Sequence, residues 1–151
     1  MSKKTEFTIV GAGNGGRAMA GHLALMGFPV TLYNRTPSHV EAIKVRGGIE
    51  VTGDEQQPHG FGRLRLVTSD MREALEQPRI AMVVVPATAH ADVARKMAPH
   101  LKDGQTVVLH PGRTGGSLEF YHVLRQSGCQ ADVTIAEAET LVYAARSEGP
   151  A

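Results

Sequence analysis

Only one cysteine stands in the chain, Cys129, so no internal disulfide can form and a secreted fold held by disulfide staples is excluded. It sits in the turn-like run Ser127-Gly128-Cys129 and reads as a bystander. No apolar run approaches the roughly 18 residues of a membrane span. Neither sign of charge is in excess: 16 Lys and Arg against 15 Asp and Glu leave a net +1, which offers no basic field for nucleic acid and no acidic tail. No Gly-Lys-Ser or Gly-Lys-Thr occurs, so there is no P-loop. His22, His39, His59, His100 and His122 show no metal-ligand spacing, and no metal is expected. The start, Met1-Ser2-Lys3-Lys4, leads into a strand-like run rather than a signal-peptide core, which sets the expectation of a cytoplasmic protein. There is no internal repeat. At 151 residues, 42% hydrophobic and 21% charged, the chain is expected to form one globular domain over 1–151.

What is present in quantity is glycine, and its placement organises the chain. Phe7-Thr8-Ile9-Val10 reads as a buried strand. Gly11-Ala12-Gly13-Asn14-Gly15-Gly16 follows, then Arg17 to Met26, rich in helix formers and stopped by Gly27. Pro29-Val30-Thr31-Leu32-Tyr33 is a second strand. This is a βαβ unit with G-x-G-x-x-G at Gly11, Gly13 and Gly16, the dinucleotide-binding arrangement. Gly11 permits the tight turn, Gly13 lets a pyrophosphate approach the backbone, and Gly16 lets the helix lie against the sheet. The helix amino end then offers unpaired N–H groups and the positive end of its dipole to the phosphates.

The residues after the second strand bear on which dinucleotide is bound. NAD enzymes usually place a carboxylate there, about 20 residues on, for the ribose 2′-hydroxyl. This chain has Asn34-Arg35-Thr36 instead. Asn34 and Thr36 can donate hydrogen bonds to a 2′-phosphate, and Arg35 can pair with it and stack on adenine. The expectation is NADP(H) in preference to NAD(H). The plainer reading makes Arg35 a solvated loop charge and Thr36 a helix cap ahead of Pro37, and the two readings are compatible.

Further along, Pro37 to Arg46 reads as a helix stopped by Gly47-Gly48. Residues 48–67 then read as a β-hairpin-like excursion, with Gly48 to Gly53 and Arg63 to Val67 as strands, a polar exposed tip from Asp54 to Gly60, and no binding role. Asp70-Met71-Arg72-Glu73 has the form of a capping box on a helix reaching Gln77. Ile80 to Val85 is a strand covered on both faces. Thr88 caps a helix from Ala89 to Leu101 whose Val93, Met97 and Leu101 recur every fourth residue. Thr106 to Leu109 is a strand, Gly115 to Gln126 a helix with Leu118, Tyr121 and Leu124 facing the core, and Val133-Thr134-Ile135 a last strand. The fold class is α/β, a Rossmann-type doubly wound, mostly parallel sheet with helices on both faces.

Ligands of such sheets lie beyond the carboxyl ends of the strands. That rule selects the glycine loop, Pro86-Ala87-Thr88-Ala89-His90, and His110-Pro111-Gly112-Arg113-Thr114-Gly115-Gly116. The third loop puts an imidazole, a guanidinium and a hydroxyl at one strand end, donors that a substrate carboxylate or the nicotinamide ribose could use. Its alternative is a Pro-Gly turn with Arg113 solvated. His90 is expected to face solvent or the second turn of its helix, or to touch cofactor. Other nucleotide folds fit less well. A methyltransferase would carry an acid in the strand before the glycines, and an FAD unit would want Glu near position 34. A short-chain dehydrogenase needs Tyr-x-x-x-Lys, for which Tyr121 and Arg125 are the nearest approach.

With these residues in view, the chain resembles the amino-terminal domain of the opine dehydrogenase family, the octopine/nopaline dehydrogenase type. The resemblance covers nearly the whole chain. It is carried by the glycine loop, Pro86-Ala87 with His90, His110 to Gly116, and Ala136-Glu137-Ala138-Glu139-Thr140-Leu141 running to Tyr143-Ala144 and Arg146. It implies an oxidoreductase acting on CH–NH bonds. An α-keto acid and the amine of an amino acid would form an imine, and a nicotinamide cofactor would reduce it to a secondary amine dicarboxylate. It further implies that catalytic residues belong to a helical second domain after residue 151, that the chain is a fragment inactive alone, and that His110, Arg113, Thr114 and Thr140 stand on the substrate side. Two alternatives stay open. One is a ketopantoate-reductase-like or 6-phosphogluconate-dehydrogenase-like domain. The other is a stand-alone nucleotide-binding or redox-sensing module.

Overall fold

The computed structural model describes residues 4–53 and 56–149. The start at Met1-Ser2-Lys3, Asp54 and Glu55 of the expected hairpin tip, and the end at Pro150-Ala151 lie outside the described residues. The chain runs from β1 (Phe7–Val10) through α1 (Asn14–Leu25) to β2 (Val30–Tyr33). A short α2 (Glu41–Arg46) leads to β3 (Gly48–Val51) and β4 (Gly60–Arg63). Then come β5 (Leu66–Thr68), α3 (Met71–Ala74), β6 (Ile80–Val83), α4 (His90–Met97), β7 (Thr106–Leu109), α5 (Gly116–Gln126) and β8 (Thr134–Glu137).

Six strands form one sheet in the order β5-β2-β1-β6-β7-β8, and every neighbouring pair is parallel. The order reverses at β1, with β2 on one side and β6 on the other, so the crevice of a doubly wound sheet opens beyond Val10. The strands are apolar on both faces because helices cover both. Ile9, Val30 and Leu32 join Met19, Ala20, Val40 and Ile43 on one face; Val10, Val83 and Leu109 join Ala94, Met97, Phe120 and Leu124 on the other. The buried hydroxyl of Thr8 donates to the Ala74 carbonyl at 2.6 Å, and Gln105 donates to the carbonyls of Leu75 and Pro78, so these interior polar groups are partnered. Among the described residues, no helix is long and apolar enough to cross a membrane.

Several elements depart from the sequence reading. The expected helix from Pro37 to Arg46 is broken. Pro37–His39 is a 3₁₀ turn closed by the Val40 N–H on the Pro37 carbonyl, and α2 starts only at Glu41, because Val40 turns inward to full burial. The second excursion strand is two strands: β4 pairs antiparallel with β3, while β5 joins the main sheet beside β2. Both halves alternate, so periodicity could not mark the break at Leu64 and Arg65. The capping box is half formed. Asp70 accepts from the Arg72 N–H, but the Glu73 carboxylate accepts from the Thr68 hydroxyl instead of reaching back. Thr88 does not cap α4, which begins at His90 after a 3₁₀ turn over Ala87–Ala89 and has Ala89 at its cap position. On α5, Leu118 and Tyr121 are exposed, and Gly116, Phe120, Val123 and Leu124 form the buried stripe. Cys129 is buried in the core rather than lying in an open turn.

The excursion is a structural cover, not decoration. β3 and β4 lie across the outer face of α1, where the Gly62 backbone meets that of Gly21 so closely that a Cβ on Gly62 would stand 2.5 Å from the Gly21 carbonyl oxygen. The segment after β8 runs along the same helix, from its last turn to its amino end. Leu141 packs against Gly15, Tyr143 hydrogen-bonds His22 Nδ1 at 2.8 Å, and Asn14 accepts from the Ser147 N–H at 3.1 Å.

Because the Gly62 contact is backbone against backbone, no side chain can swing away to relieve it. Gly62→Ala is expected to destabilise the protein by about 1–3 kcal/mol, the cost of overpacking. Urea unfolding measures this as a lowered midpoint, and an unchanged midpoint would mean that the hairpin does not hold α1 as described.

Candidate functional site

The site is built where β1 gives way to α1. Gly11 has φ of +115°, and a side chain there would strike the Val84 carbonyl on the neighbouring strand, so the turn requires glycine. A Cβ on Gly16 would overlap the Gly11 carbonyl oxygen; its absence lets α1 start directly under the loop. Gly13 differs from both. It is exposed and a Cβ there would meet nothing, so the backbone at the helix cap opens on space. No side chain caps α1 and its first turn carries no acid, so the amino-terminal N–H groups and the dipole face the crevice uncompensated. That is the surface a diphosphate requires.

The β2 end is stitched to this loop. Asn34 Oδ1 accepts from the Ala12 N–H at 3.3 Å, while its amide donates to the Thr36 carbonyl at 3.1 Å, which leaves one amide hydrogen for a ligand. Thr36 makes no cap bond with its hydroxyl. Arg17, which sequence reasoning passed over, ties the two loops together. Its guanidinium donates to the carbonyls of Ala12 at 2.9 Å and His39 at 3.0 Å, and of Gly149 at 3.1 Å. Nothing local in the sequence announces this, since two of the three acceptors, His39 and Gly149, are backbone carbonyls of distant segments.

A crevice of about 160 Å³ lies between the ends of β1, β2 and β6. Val10, Gly11, Tyr33, Met71, Val85, Pro86 and Val93 make its walls mainly apolar; Asn34, Arg35, Asp92 and Lys96 stand at its polar side. Gly11, Asn34, Arg35 and Pro86 are thus brought together as the sequence suggested, whereas Met71, Asp92 and Lys96 come from helices that were expected but from which no site residue was singled out. A larger cleft, about 340 Å³, lies between α1, β3 and residues 146–149. It runs along the outer face of α1 from Asn14 and Arg17, whereas the smaller one lies between the strand ends where the strand order reverses, so the topology favours the smaller one as the nucleotide site.

His90 is not at solvent. Its ring is fully buried between α4 and the start of α5, with a hydrogen bond to the Val85 backbone, and the crevice lining includes Pro86 and Ala89 but not His90. Sequence reading misplaced it because the 3₁₀ turn over Ala87–Ala89 rotates the helix start inward. His110 is also turned in, with Nε2 3.1 Å from the Met82 sulfur. Ala87, Arg113, Thr114 and Thr140 remain exposed along the same strand-end rim. Arg113 has φ of +49°, a conformation rarely held by non-glycine residues, within a loop pinned by the Gly112 N–H to the Ala138 carbonyl. Glu137, at the end of β8, accepts from the Ser117 N–H at 2.7 Å and thereby caps α5 from across the sheet.

Burial pushes the pKa of both His90 and His110 down, and at each imidazole one ring nitrogen lacks a protein partner. Folded imidazoles that resist protonation bind fewer protons than the unfolded chain below about pH 6.5. Their contribution to stability is therefore complete above that pH and lost as the pH falls below it. Urea midpoints should drop between about pH 7 and 5, and His90→Gln should flatten that slope. Among the described residues, no group of three or more His, Cys, Asp or Glu could hold a metal ion.

Comparison with known proteins agrees with this geometry. Along 99% of its length the chain is 36% identical to an opine dehydrogenase of Arthrobacter sp. (strain 1C), of which it spans 41%. Its fold matches a solved structure of octopine dehydrogenase with NADH and L-arginine, at 22% identity and a TM-score of 0.81, over 97% of this chain and 38% of the other. A second octopine dehydrogenase structure, with NADH and pyruvate, matches with the same TM-score at 23% identity, over 96% and 38%. Residues 7–111 match the family model described as Ketopantoate reductase PanE/ApbA. A βαβ unit with its glycine loop, the strand order reversing at β1, and this match over most of the chain lead to one conclusion: the chain belongs to the ketopantoate reductase PanE/ApbA family.

Proposed function

We propose that the chain is the NADP(H)-binding part of an opine-dehydrogenase-like oxidoreductase, one that reduces the imine of an α-keto acid and an amino acid. The observation that carries the dinucleotide is the uncapped amino end of α1 with exposed Gly13, following directly on Gly11 of the crevice wall. Gly11, Ala12, Gly13, Asn14, Gly15 and Gly16 would hold the diphosphate. Asn34, Arg35 and Thr36 would meet the adenosine ribose, and Pro86 and Ala87 the far wall. The absence of a carboxylate from Asn34-Arg35-Thr36 favours the 2′-phosphate. When bound, the reduced nicotinamide supplies the hydride.

The substrates are proposed from the relatives. The octopine dehydrogenase structures are described with L-arginine and with pyruvate, one amino acid and one keto acid. In this chain the exposed Arg113 guanidinium can orient a substrate carboxylate, with Thr114 and Thr140 as hydroxyl donors on the same rim. His110 supports that loop from beneath through Met82, and His90 supports Val85. No group among these is placed to exchange protons with a reacting amine, so the proton donor and acceptor is assigned to a histidine of a second, helical domain, as the family resemblance implies. The opine reading is preferred to a ketopantoate-reductase-like one because the opine relative aligns through the 112–116 loop and the segment from Glu137 to Arg146, beyond where the family model ends. A cytoplasmic setting suits nicotinamide chemistry and the single buried thiol of Cys129.

Fluorescence titration of the 151-residue chain tests the cofactor assignment. NADPH should bind about tenfold tighter than NADH, the scale of hydrogen bonds to a charged group, and tighter NADH binding would remove the 2′-phosphate from the proposal. The same chain, supplied with NADPH, pyruvate and amino acids, should form no opine. Product would show that the proton chemistry is already present in these residues.

A further inference from the structure

Three charged side chains meet at the mouth of the crevice, and the dinucleotide assignment uses only one of them. Arg35 enters from the loop after β2, with its guanidinium Nη1 3.8 Å from Asp92 Oδ2. Lys96 Nζ lies 2.9 Å from the same oxygen. Asp92 and Lys96 are one turn apart on α4, so they share the face that also sends Ala89 and Val93 into the crevice wall. Asp92 therefore bridges the two walls: it is bound to its own helix by Lys96 and reaches across to the opposite loop through Arg35.

The two contacts differ in kind. Lys96 makes a charge-assisted hydrogen bond that holds the Asp92 carboxyl below the usual carboxylate range. Arg35 is too far for a hydrogen bond and is held by charge alone, with 70% of its side chain exposed. A phosphate that can take two guanidinium donors would outcompete such a partner. The carboxylate, held in place by Lys96, still competes with any phosphate that arrives for the same guanidinium.

We propose that Asp92 is a specificity-determining residue: by tethering Arg35 across the crevice mouth it competes with the 2′-phosphate for that guanidinium and moderates the preference for NADP(H) over NAD(H). This rests on the assignment of the 2′-phosphate to Asn34-Arg35-Thr36. Asp92 acts through Arg35 and is a positioning residue, with no contact to the reacting atoms. Binding of NADH, which brings a hydroxyl in place of the phosphate, leaves the tether intact.

Dissociation constants for NADPH and NADH, measured by fluorescence on wild type, Asp92→Asn, Arg35→Ala and the double variant, test the proposal. Asp92→Asn keeps an acceptor for Lys96 on an exposed helix face. It should tighten NADPH about threefold to fivefold, the scale of an exposed ion pair, with NADH unchanged. Arg35→Ala should weaken NADPH alone and abolish the gain from Asp92→Asn in the double variant. An equal change for both cofactors would make Asp92 a direct adenosine contact and overturn the assignment, as would a gain that persists without Arg35. If Arg35→Ala leaves NADPH binding unaltered, the 2′-phosphate assignment itself fails and the role of Asp92 falls with it.

Discussion

The contact on which the site depends is that of the Gly16 backbone with the Gly11 carbonyl. Helix α1 can begin immediately below the loop only because no Cβ intervenes, and only from there do its free N–H groups point into the gap where the strand order reverses. The other features support that placement. Gly21 and Gly62 let the β3–β4 hairpin press on the outer face of the helix, Arg17 ties the loop to the β2 end, Leu141 packs on the first turn and Tyr143 bonds the last. A helix of 12 residues is thereby held from the sheet side, the solvent side and its amino end.

Much of this arrangement is legible in the sequence, for identifiable reasons. The glycines at 11, 13 and 16 are a local signal, because each answers a steric demand within a few residues. Val93, Met97 and Leu101 are legible for the same reason, since helical spacing states which face is buried and all three are buried. The reading of α5 held at Leu124 and failed at Leu118 and Tyr121, because those three fit one helical stripe about as well as Gly116, Phe120, Val123 and Leu124 fit another. Two apolar stripes on one short helix cannot be told apart without knowing which side meets the sheet.

The residues that escaped notice share a different trait. Arg17, Asp92 and Glu137 act on partners 20 or more residues away in the chain: the His39 and Gly149 carbonyls, the Arg35 guanidinium and the Ser117 N–H. Nothing in their immediate neighbours distinguishes them from solvated charges. His90 illustrates the converse, a residue whose loop drew attention but whose ring belongs to the packing beneath it, because one 3₁₀ turn decides which way the helix enters.

The diversion of β3 and β4 out of the main sheet also determines how the sheet ends. Its outermost strands are β5, with three residues, and β8, with four. An edge this short presents few unsatisfied backbone groups in a row, so a second chain finds little to zip onto. Had the chain from 60 to 68 continued as one straight strand along that border, it would have offered a template about three times as long for edge-to-edge association. The break at Leu64 and Arg65 thus shortens that border while freeing a hairpin to brace α1.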